Sequence, residues 1–178
     1  HWTIKNELKN QKNIKFVIGD IRDQERVDKV FLEFNPNRVI IASALKQVDT
    51  CEQSPFESIK TNVLGINNVI NSTVRYADRL KKLNSVLLVS TDKACSPSNV
   101  YGMSKALAER LITSSSNENK NTKYIAVRYG NVLESRGSIL PLFRFQGEFK
   151  SHLTVTHTNM TRFIMTLEES VDLIVSAL

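Results

Sequence analysis

The chain contains few of the residues that mark specialised classes of protein. Among its 178 residues are two cysteines, three histidines, four prolines and six glycines. Two cysteines cannot build a disulfide framework, so Cys51 and Cys95 are predicted to be reduced, as in the cytoplasm. The histidines His1, His152 and His157 lack the spacing of metal ligands, and we predict no metal site.

Long apolar runs are also missing. The longest, residues 39–45 and 86–89, have the length of buried strands, whereas a membrane helix needs about 20 apolar residues. No basic start precedes an apolar run, so no secretory leader is predicted. These absences predict a cytoplasmic protein without a membrane span.

Positive charge is in modest excess. Lysine and arginine number 24 against 18 aspartates and glutamates, which gives a formal net charge of +6. The lysines are spread along the chain and aromatic residues are not interleaved with them, so we predict no nucleic-acid partner. A modest positive field instead suits a small anionic substrate.

Strand-like and helix-like segments alternate along the chain. Residues 25–34 carry apolar side chains at helical spacing, and Pro55 after Ser54 marks the start of a long helix. Thr166 and Glu169 have the spacing of a capping box that opens a last helix. Such alternation implies parallel strands with crossover helices, hence a doubly wound α/β sheet. Strands are predicted at 15–18, 38–42, 85–89 and 124–128, and a loop-rich region after residue 130.

Four proton-handling side chains follow the predicted strand 85–89. Tyr101 and Lys105 are four residues apart and share one face of a helix. An ammonium beside a phenol favours the phenolate, so Lys105 is expected to lower the pKa of Tyr101 below its usual value near ~10. Asp92 and Lys93 add an acid and an amine at the carboxyl end of the strand, where ligands of open α/β sheets bind. The group predicts a reaction with several proton transfers; the alternative is a surface pair on a solvated helix.

Several motifs together resemble one family, the extended short-chain dehydrogenase/reductases. Within it, the chain looks most like the UDP-N-acetylglucosamine 4,6-dehydratases that invert C5 and supply deoxysugars for surface polysaccharides. The resemblance covers nearly the whole chain in the right order, with supporting segments at 42–48 and 60–65. The motifs are Thr91-Asp92-Lys93, Tyr101-Gly102-Met103-Ser104-Lys105, Arg128-Tyr129-Gly130-Asn131-Val132, Ser135-Arg136-Gly137-Ser138 and Met160-Thr161-Arg162-Phe163.

The resemblance also implies how the chain is organised. A dinucleotide fold normally starts with a strand and a glycine-rich turn, and neither is found here. We therefore expect an interior piece of a longer protein, a Rossmann-like sheet incomplete at both ends. Residues 1–132 would be a partial nucleotide-binding domain, and residues 133–178 part of the substrate-binding region with a returning helix.

The family's chemistry assigns a role to each proton-handling residue. Tyr101 resembles the base that takes the C4 hydroxyl proton, and Lys105 the residue that binds the nicotinamide ribose. Lys93 resembles the base that removes the C5 proton, and Asp92 the acid that helps the C6 hydroxyl leave. Retaining relatives typically carry Asp-Glu at this place, so Asp-Lys favours inversion. The alternative is that Lys93 pairs with a phosphate or with Asp92.

Binding residues follow from the same resemblance. Asp20 would contact the cofactor, and the alternative is that it caps the next helix. The small residues 42–44 would let the cofactor approach the backbone, and the alternative is that they allow tight packing of helix on sheet. For Asn62, the alternative to a binding role is an ordinary polar position on a helix. For Lys46, it is a lysine exposed to solvent. The implied cofactor, NADP or NAD, would contact Asp20, Ile21, Ala42, Ser43, Ala44, Asn62, Tyr101 and Lys105. The implied UDP-sugar would contact Lys46, Thr91, Asn131, Val132, Arg136, Thr156 and Arg162.

The predicted function is therefore NAD(P)-dependent dehydration of a UDP-N-acetylhexosamine with inversion at C5, in a protein that the resemblance allows to be a homo-oligomer. A retaining 4,6-dehydratase or a 4-epimerase is the alternative within the same fold. A truncated, inactive nucleotide-binding module is the alternative from another class.

Overall fold

Three parallel strands form the centre of the fold. A computed structural model of the protein describes residues 2–117, 120–135, 137–150, 152–155 and 157–178. Strands β1 (Arg38–Ile41), β2 (Ser85–Thr91) and β3 (Lys123–Tyr129) lie side by side in that order. Arg38 is opposite Ser85, and Ser85 is opposite Lys123, so the three strands begin in register.

Helices connect and cover these strands. The described helices are α1 (Trp2–Glu7), α2 (Gln24–Phe34), α3 (Val48–Gln53), α4 (Pro55–Ile59), α5 (Gly65–Arg75), α6 (Val100–Ser114), α7 (Ile139–Phe149) and α8 (Leu167–Ala177). A π-helical turn, Lys60–Leu64, joins α4 to α5. Two short parallel strands, β4 (Asn131–Val132) and β5 (Ile164–Met165), form a second sheet beyond the end of β3.

Helices pack on both faces of the main sheet. All of β2 is buried, and its side chains alternate between two apolar clusters. Val86 and Leu88 pack with residues of α2, α5 and α6, whereas Leu87 and Val89 pack with the end of α8. This arrangement confirms the predicted doubly wound α/β sheet, because both faces of a parallel sheet must be covered by crossover elements.

The helix starts follow local sequence signals. The predicted capping box is present: Thr166 accepts from the backbone N–H of Glu169, whose carboxylate accepts from the backbone N–H of Thr166. Asp23 caps α2 by accepting from the backbone N–H of Arg26. At the start of α6, Asn99 accepts from the backbone N–H of Gly102 at 2.8 Å. Each cap satisfies a backbone donor that a helix leaves unpaired.

Three sequence predictions differ from the structure, in whole or in part. Residues 15–18 are described without strand structure; their apolar character suggested a strand, but in the described part of the chain no strand pairs with them, and Ile18 is largely exposed. The helix expected after Ser54 begins there, with Pro55 in its first turn, but a π-helical turn divides it and Ser54 makes no side-chain cap bond. The region predicted as loops contains α7.

A buried carboxylate links α2 to α5. Asp28 accepts from Ser72 at 2.5 Å, from Gln24 at 2.8 Å and from Arg75 at 2.8 Å. Burial raises the pKa of Asp28, but the hydrogen bonds from Ser72 and Gln24 and the charge of Arg75 outweigh it and hold the pKa below its usual value. The network therefore keeps a charged group inside the helix interface.

None of the described helices has both the length and the apolar character that crossing a bilayer requires.

Leu88→Ala should lower the free energy of unfolding by about 2–5 kcal/mol, because it leaves a cavity beside a fully buried strand. The measurement is urea denaturation of the unchanged protein and of each variant. Leu107→Ala is the matched control, since Leu107 is 50% exposed and its truncation should cost less than about 0.5 kcal/mol. Equal losses for the two variants would contradict the described packing.

Candidate active site

A cavity of about 430 Å³ opens at the carboxyl ends of the three main strands. It brings together most of the residues predicted from the sequence. Residues after β1 form one wall, the start of α6 another, and the segment after β3 a third. The predicted residues in its lining are Ala42, Ala44, Lys46, Thr91, Lys93, Tyr101, Lys105, Asn131 and Val132.

The start of α6 lies tightly against Lys93. A Cβ atom added at Gly102 would collide with the backbone oxygen of Lys93, so only glycine permits this approach. The backbone N–H of Val100 also donates to Glu52 in α3 at 2.6 Å. These contacts fix the first turn of α6, and with it Tyr101, relative to the end of β2.

Lys105 is buried below the cavity floor. It is 2% exposed, and its Nζ donates to the backbone oxygen of Val89 at 2.7 Å. Burial lowers the pKa of Lys105 to about 8, while Glu109 acts in the opposite direction. The folded protein thus releases this proton near pH 8 and the unfolded chain near 10.5, so this group makes stability rise with pH between those values.

Tyr101 departs from the prediction. Its pKa is raised above the usual value, mainly because burial disfavours the phenolate, whereas a hydrogen bond with Thr91 lowers it. The expected lowering by Lys105 was wrong as a description of this structure. Although the two side chains are on one helix, the described hydrogen bond of the Lys105 ammonium goes to Val89.

Asp92, Lys93 and Asn131 form a polar chain at the end of β2. The Nζ of Lys93 lies 3.0 Å from Oδ1 of Asp92 and 3.4 Å from Oδ1 of Asn131. Thr91 donates its hydroxyl to the same Asp92 oxygen at 3.0 Å. Lys93 thus forms an ion pair with Asp92, and its catalytic role stays a prediction. Asp92 faces an adjacent cavity of about 310 Å³ bordered by Tyr129 and Gly130, which also border the main cavity.

Asp20, Ile21 and Ser43 lie in a separate groove of about 250 Å³ beside β1. The extended residues after β1 alternate, so that Ala42 and Ala44 face the main cavity and Ser43 faces the groove. A side-chain hydrogen bond from Arg22 lowers the pKa of the exposed Asp20 carboxylate. The alternative that Asp20 caps the next helix was wrong, because Asp23 is the cap.

Asn62 serves the scaffold in this structure. It is fully buried in the π-helical turn, where it exchanges two hydrogen bonds with the backbone of Leu45 and donates to Ser104 at 3.0 Å. These bonds tie a cavity wall to α6. Asn62 is therefore not among the described residues that line the cavity, and its predicted contact with the cofactor stays a prediction.

Arg162 is the predicted substrate residue that, among those the structure describes, does not line the cavity. Arg162 is exposed and donates to the backbone oxygen of Thr161 at 2.8 Å. Arg136 and Thr156 lie outside the described residues. For them the sequence prediction stays a prediction.

Sequence reasoning missed a buried polar cluster next to Lys105. Glu109 accepts from Ser90 at 2.5 Å and from Nε and Nη2 of Arg128 at 2.9 and 2.6 Å. Its spacing of four residues from Lys105 was the available signal. Tyr129, which also borders the cavity, was missed as a site residue although it lies opposite Thr91 in the sheet.

The chemistry available here is proton transfer. One cavity holds a phenol, a buried amine and an ion-paired amine, with a carboxylate at its border, and small residues leave space beside them. Among the described residues, no group of three or more histidine, cysteine, aspartate or glutamate side chains has the geometry of a metal site. The cavity and the neighbouring groove lie on either side of residues 42–44, so the described residues fit an elongated ligand such as a dinucleotide.

Known proteins share both the sequence and this fold. The chain is 42% identical over 178 residues to an uncharacterized membrane protein of Methanocaldococcus jannaschii, covering 99% of the chain and 51% of that protein. It is 43% identical over 170 residues to a UDP-glucose 4-epimerase of Rickettsia rickettsii, covering 94% of the chain and 48% of that protein. The X-ray structure of Pen from Bacillus thuringiensis matches with a TM-score of 0.90 and 38% identity, over 99% of this chain and 53% of that one.

The chain spans about half the length of these relatives. A sequence model of the family described as polysaccharide biosynthesis protein matches all of residues 1–178. The chain therefore belongs to this family of polysaccharide biosynthesis proteins.

Proposed function

We propose that the protein dehydrates a UDP-N-acetylhexosamine at C4–C6 with inversion at C5, using NAD or NADP. The observation that carries the proposal is the Asp92–Lys93 pair, which lies at the end of β2 beside the cavity that holds Tyr101 and Lys105. A reaction that only oxidises and reduces one carbon needs a base such as Tyr101. The additional acid and amine fit the removal of a proton and of water from neighbouring carbons.

The cofactor would supply reversible hydride transfer. Lys105 and Tyr101 would hold its nicotinamide ribose in the cavity, with Ala42 and Ala44 leaving space for its close approach. Asp20 and Ile21 would contact its adenine in the neighbouring groove.

The chain's own residues would move three protons. Tyr101 would take the proton of the C4 hydroxyl as the hydride on C4 is transferred to the bound cofactor, and the C4 ketone so formed acidifies the proton on C5. Lys93 removes that proton, while Asp92 donates one to the C6 hydroxyl, which leaves as water. The contact of Asn131 with Nζ of Lys93 holds the amine toward the cavity. The hydride held by the reduced cofactor would be returned to C6, and proton return to C5 from the opposite face inverts this carbon.

The sugar nucleotide would lie along the segment after β3. Lys46, Thr91, Asn131 and Val132 border the cavity on this side. Arg136, Thr156 and Arg162 complete the proposed substrate contacts, and the guanidinium of Arg136 suits a diphosphate because it can bind two oxygens at once. In this proposal residues 1–132 form the partial nucleotide-binding domain, and residues 133–178 form part of the substrate-binding region.

Two other proposals keep their own supports. A retaining dehydratase or a 4-epimerase uses the same fold, and the Rickettsia rickettsii relative is named a UDP-glucose 4-epimerase. A module that binds nucleotide without turnover remains the alternative from another class, since the chain spans half the length of its relatives. A cytoplasmic location, supported by the two free cysteines, and a homo-oligomer are also part of the proposal.

The protein, expressed from its complete gene and supplied with NADP or NAD, should convert UDP-N-acetylglucosamine in heavy water into a 4-keto, 6-deoxy product. Deuterium should appear at C5, because Lys93 exchanges this proton with solvent, and C5 should be inverted. Mass spectrometry and proton NMR check both points. A product that retains the C5 configuration, or a C4 epimer, would support the alternatives of the same fold.

Absence of both the 4-keto product and deuterium at C5 would contradict the proposal. The 178-residue chain should bind NADP weakly and show no turnover, which isothermal titration calorimetry and the same product assay can measure. Tight NADP binding by this chain would contradict the idea of a merely weak nucleotide-binding module.

Lys93→Met should lower the rate of deuterium exchange at C5 by at least about 10²-fold, which is the usual contribution of a positioned base. Oxidation at C4 should persist. Tyr101→Phe should suppress both, because the C4 proton is removed first. Absorbance at 340 nm follows the oxidation and NMR follows the exchange. The matched control is Lys123→Met, an exposed lysine at the opposite end of β3; it should leave both rates unchanged. Equal losses of oxidation and exchange in Lys93→Met would exclude a separate role for this amine.

A further inference from the structure

Glu109 is a buried acid to which the proposed reaction gives no role. It lies on α6, one turn after Lys105, and only 8% of the residue is exposed. Ser90 donates to its Oε1 at 2.5 Å, and Arg128 donates to both carboxylate oxygens. A buried carboxylate with this many donors stays ionised, and its pKa is held low by the bonds from Arg128 and Ser90 against the effect of burial.

The geometry places Glu109 beside Lys105. Residues four apart on a helix have Cβ atoms about 5–6 Å apart, and both side chains reach the same strand. Lys105 donates to the backbone oxygen of Val89, and Glu109 accepts from the side chain of the next residue, Ser90. The two opposite charges therefore belong to neighbouring side chains between α6 and β2, close enough for Glu109 to raise the pKa of Lys105.

We propose that Glu109, fixed by Ser90 and Arg128, is a positioning residue that keeps the Lys105 side chain charged at the floor of the cavity. This role deepens the proposed function, in which the Lys105 ammonium binds the ribose. The other titratable groups around the cavity are Tyr101 on α6, Asp92 and Lys93 after β2, Tyr129 on β3, and Lys46 and Asp49 near the start of α3. None of these groups has a described hydrogen bond with the Glu109 carboxylate, whose partners are Ser90 and Arg128.

The direction of the effect follows from charge. Burial lowers the pKa of Lys105 and Glu109 raises it, so loss of the Glu109 charge must lower it further. Arg128, left without its partner, adds a repulsive positive charge, although its half-exposed side chain remains hydrated. The ammonium then loses its proton at a lower pH.

Glu109→Gln should lower the pKa of Lys105 by about one unit or more, the size of shift that a nearby opposite charge produces. At pH 8 the charged fraction of Lys105 should fall from about one half to about one tenth. The measurement is the pH titration of the Lys105 ε-carbon resonance in the lysine-labelled full-length protein, assigned with Lys105→Arg. The alkaline limb of the rate profile should move to lower pH by the same amount.

Asp28→Asn is the matched control. Asp28 is also a buried carboxylate held by a serine and an arginine, but it joins α2 to α5 and does not contact Lys105. Both variants lose a buried ion pair and should be less stable, whereas only Glu109→Gln should shift the Lys105 titration. Glu109→Asp keeps the negative charge, so its Lys105 pKa should fall less than that of Glu109→Gln.

An unchanged Lys105 titration in Glu109→Gln, or an equal shift in Asp28→Asn, would overturn the proposal. The titration requires no substrate, so it is independent of the reaction. A protein that dehydrates no sugar nucleotide, but whose Lys105 titration shifts in Glu109→Gln alone, would contradict the proposed function and support the role of Glu109.

Discussion

Burial of β2 on both faces is the constraint on which the rest of the structure depends. Each of its seven residues is buried, and β1 and β3 pair with its two edges. Since the backbone groups of such a strand must all be paired, its course and its end are fixed. Thr91 then accepts a hydrogen bond from the backbone N–H of Lys93 and starts a short 3₁₀ turn, Asp92–Ala94. The polar side chains that follow the strand therefore have defined positions at the mouth of the cavity.

The same apolar framework contains two ionised carboxylates, and both are held in the same way. Asp28 and Glu109 each accept from a serine inside and from an arginine at the surface. A buried charge is costly unless its hydrogen bonds are complete, and the half-exposed arginine supplies charge without being desolvated itself. What distinguishes the two networks is their neighbourhood: one joins two helices, whereas the other lies between α6 and β2 beside a buried lysine.

Local signals predicted what depends on nearby residues, and they failed where distant partners decide. The capping box at Thr166 requires only residues three apart, so the sequence contained all of it. The strand at 15–18 was wrong because a strand exists only with a hydrogen-bonded partner. The predicted lowering of the Tyr101 pKa was wrong for a related reason. Helical spacing places Lys105 on the correct face, but the Lys105 ammonium donates to the backbone oxygen of Val89. Glu109 was missed because its partners come from two strands.

The Asp92–Lys93 pair is not explained by stability. Both side chains are partly exposed, at 24% and 30%, and an ion pair in such surroundings contributes at most about 1 kcal/mol. Yet the backbone of Lys93 is in such close contact with α6 that residue 102 must be a glycine, and Nζ of Lys93 has a second contact in Asn131. A weak surface pair does not need this much fixation. An amine that must meet one proton of a bound sugar does, since catalysis by a base depends on its position. The proposed dehydration makes use of such an amine, because it requires an acid and an amine in addition to Tyr101, whereas the alternative epimerisation requires neither.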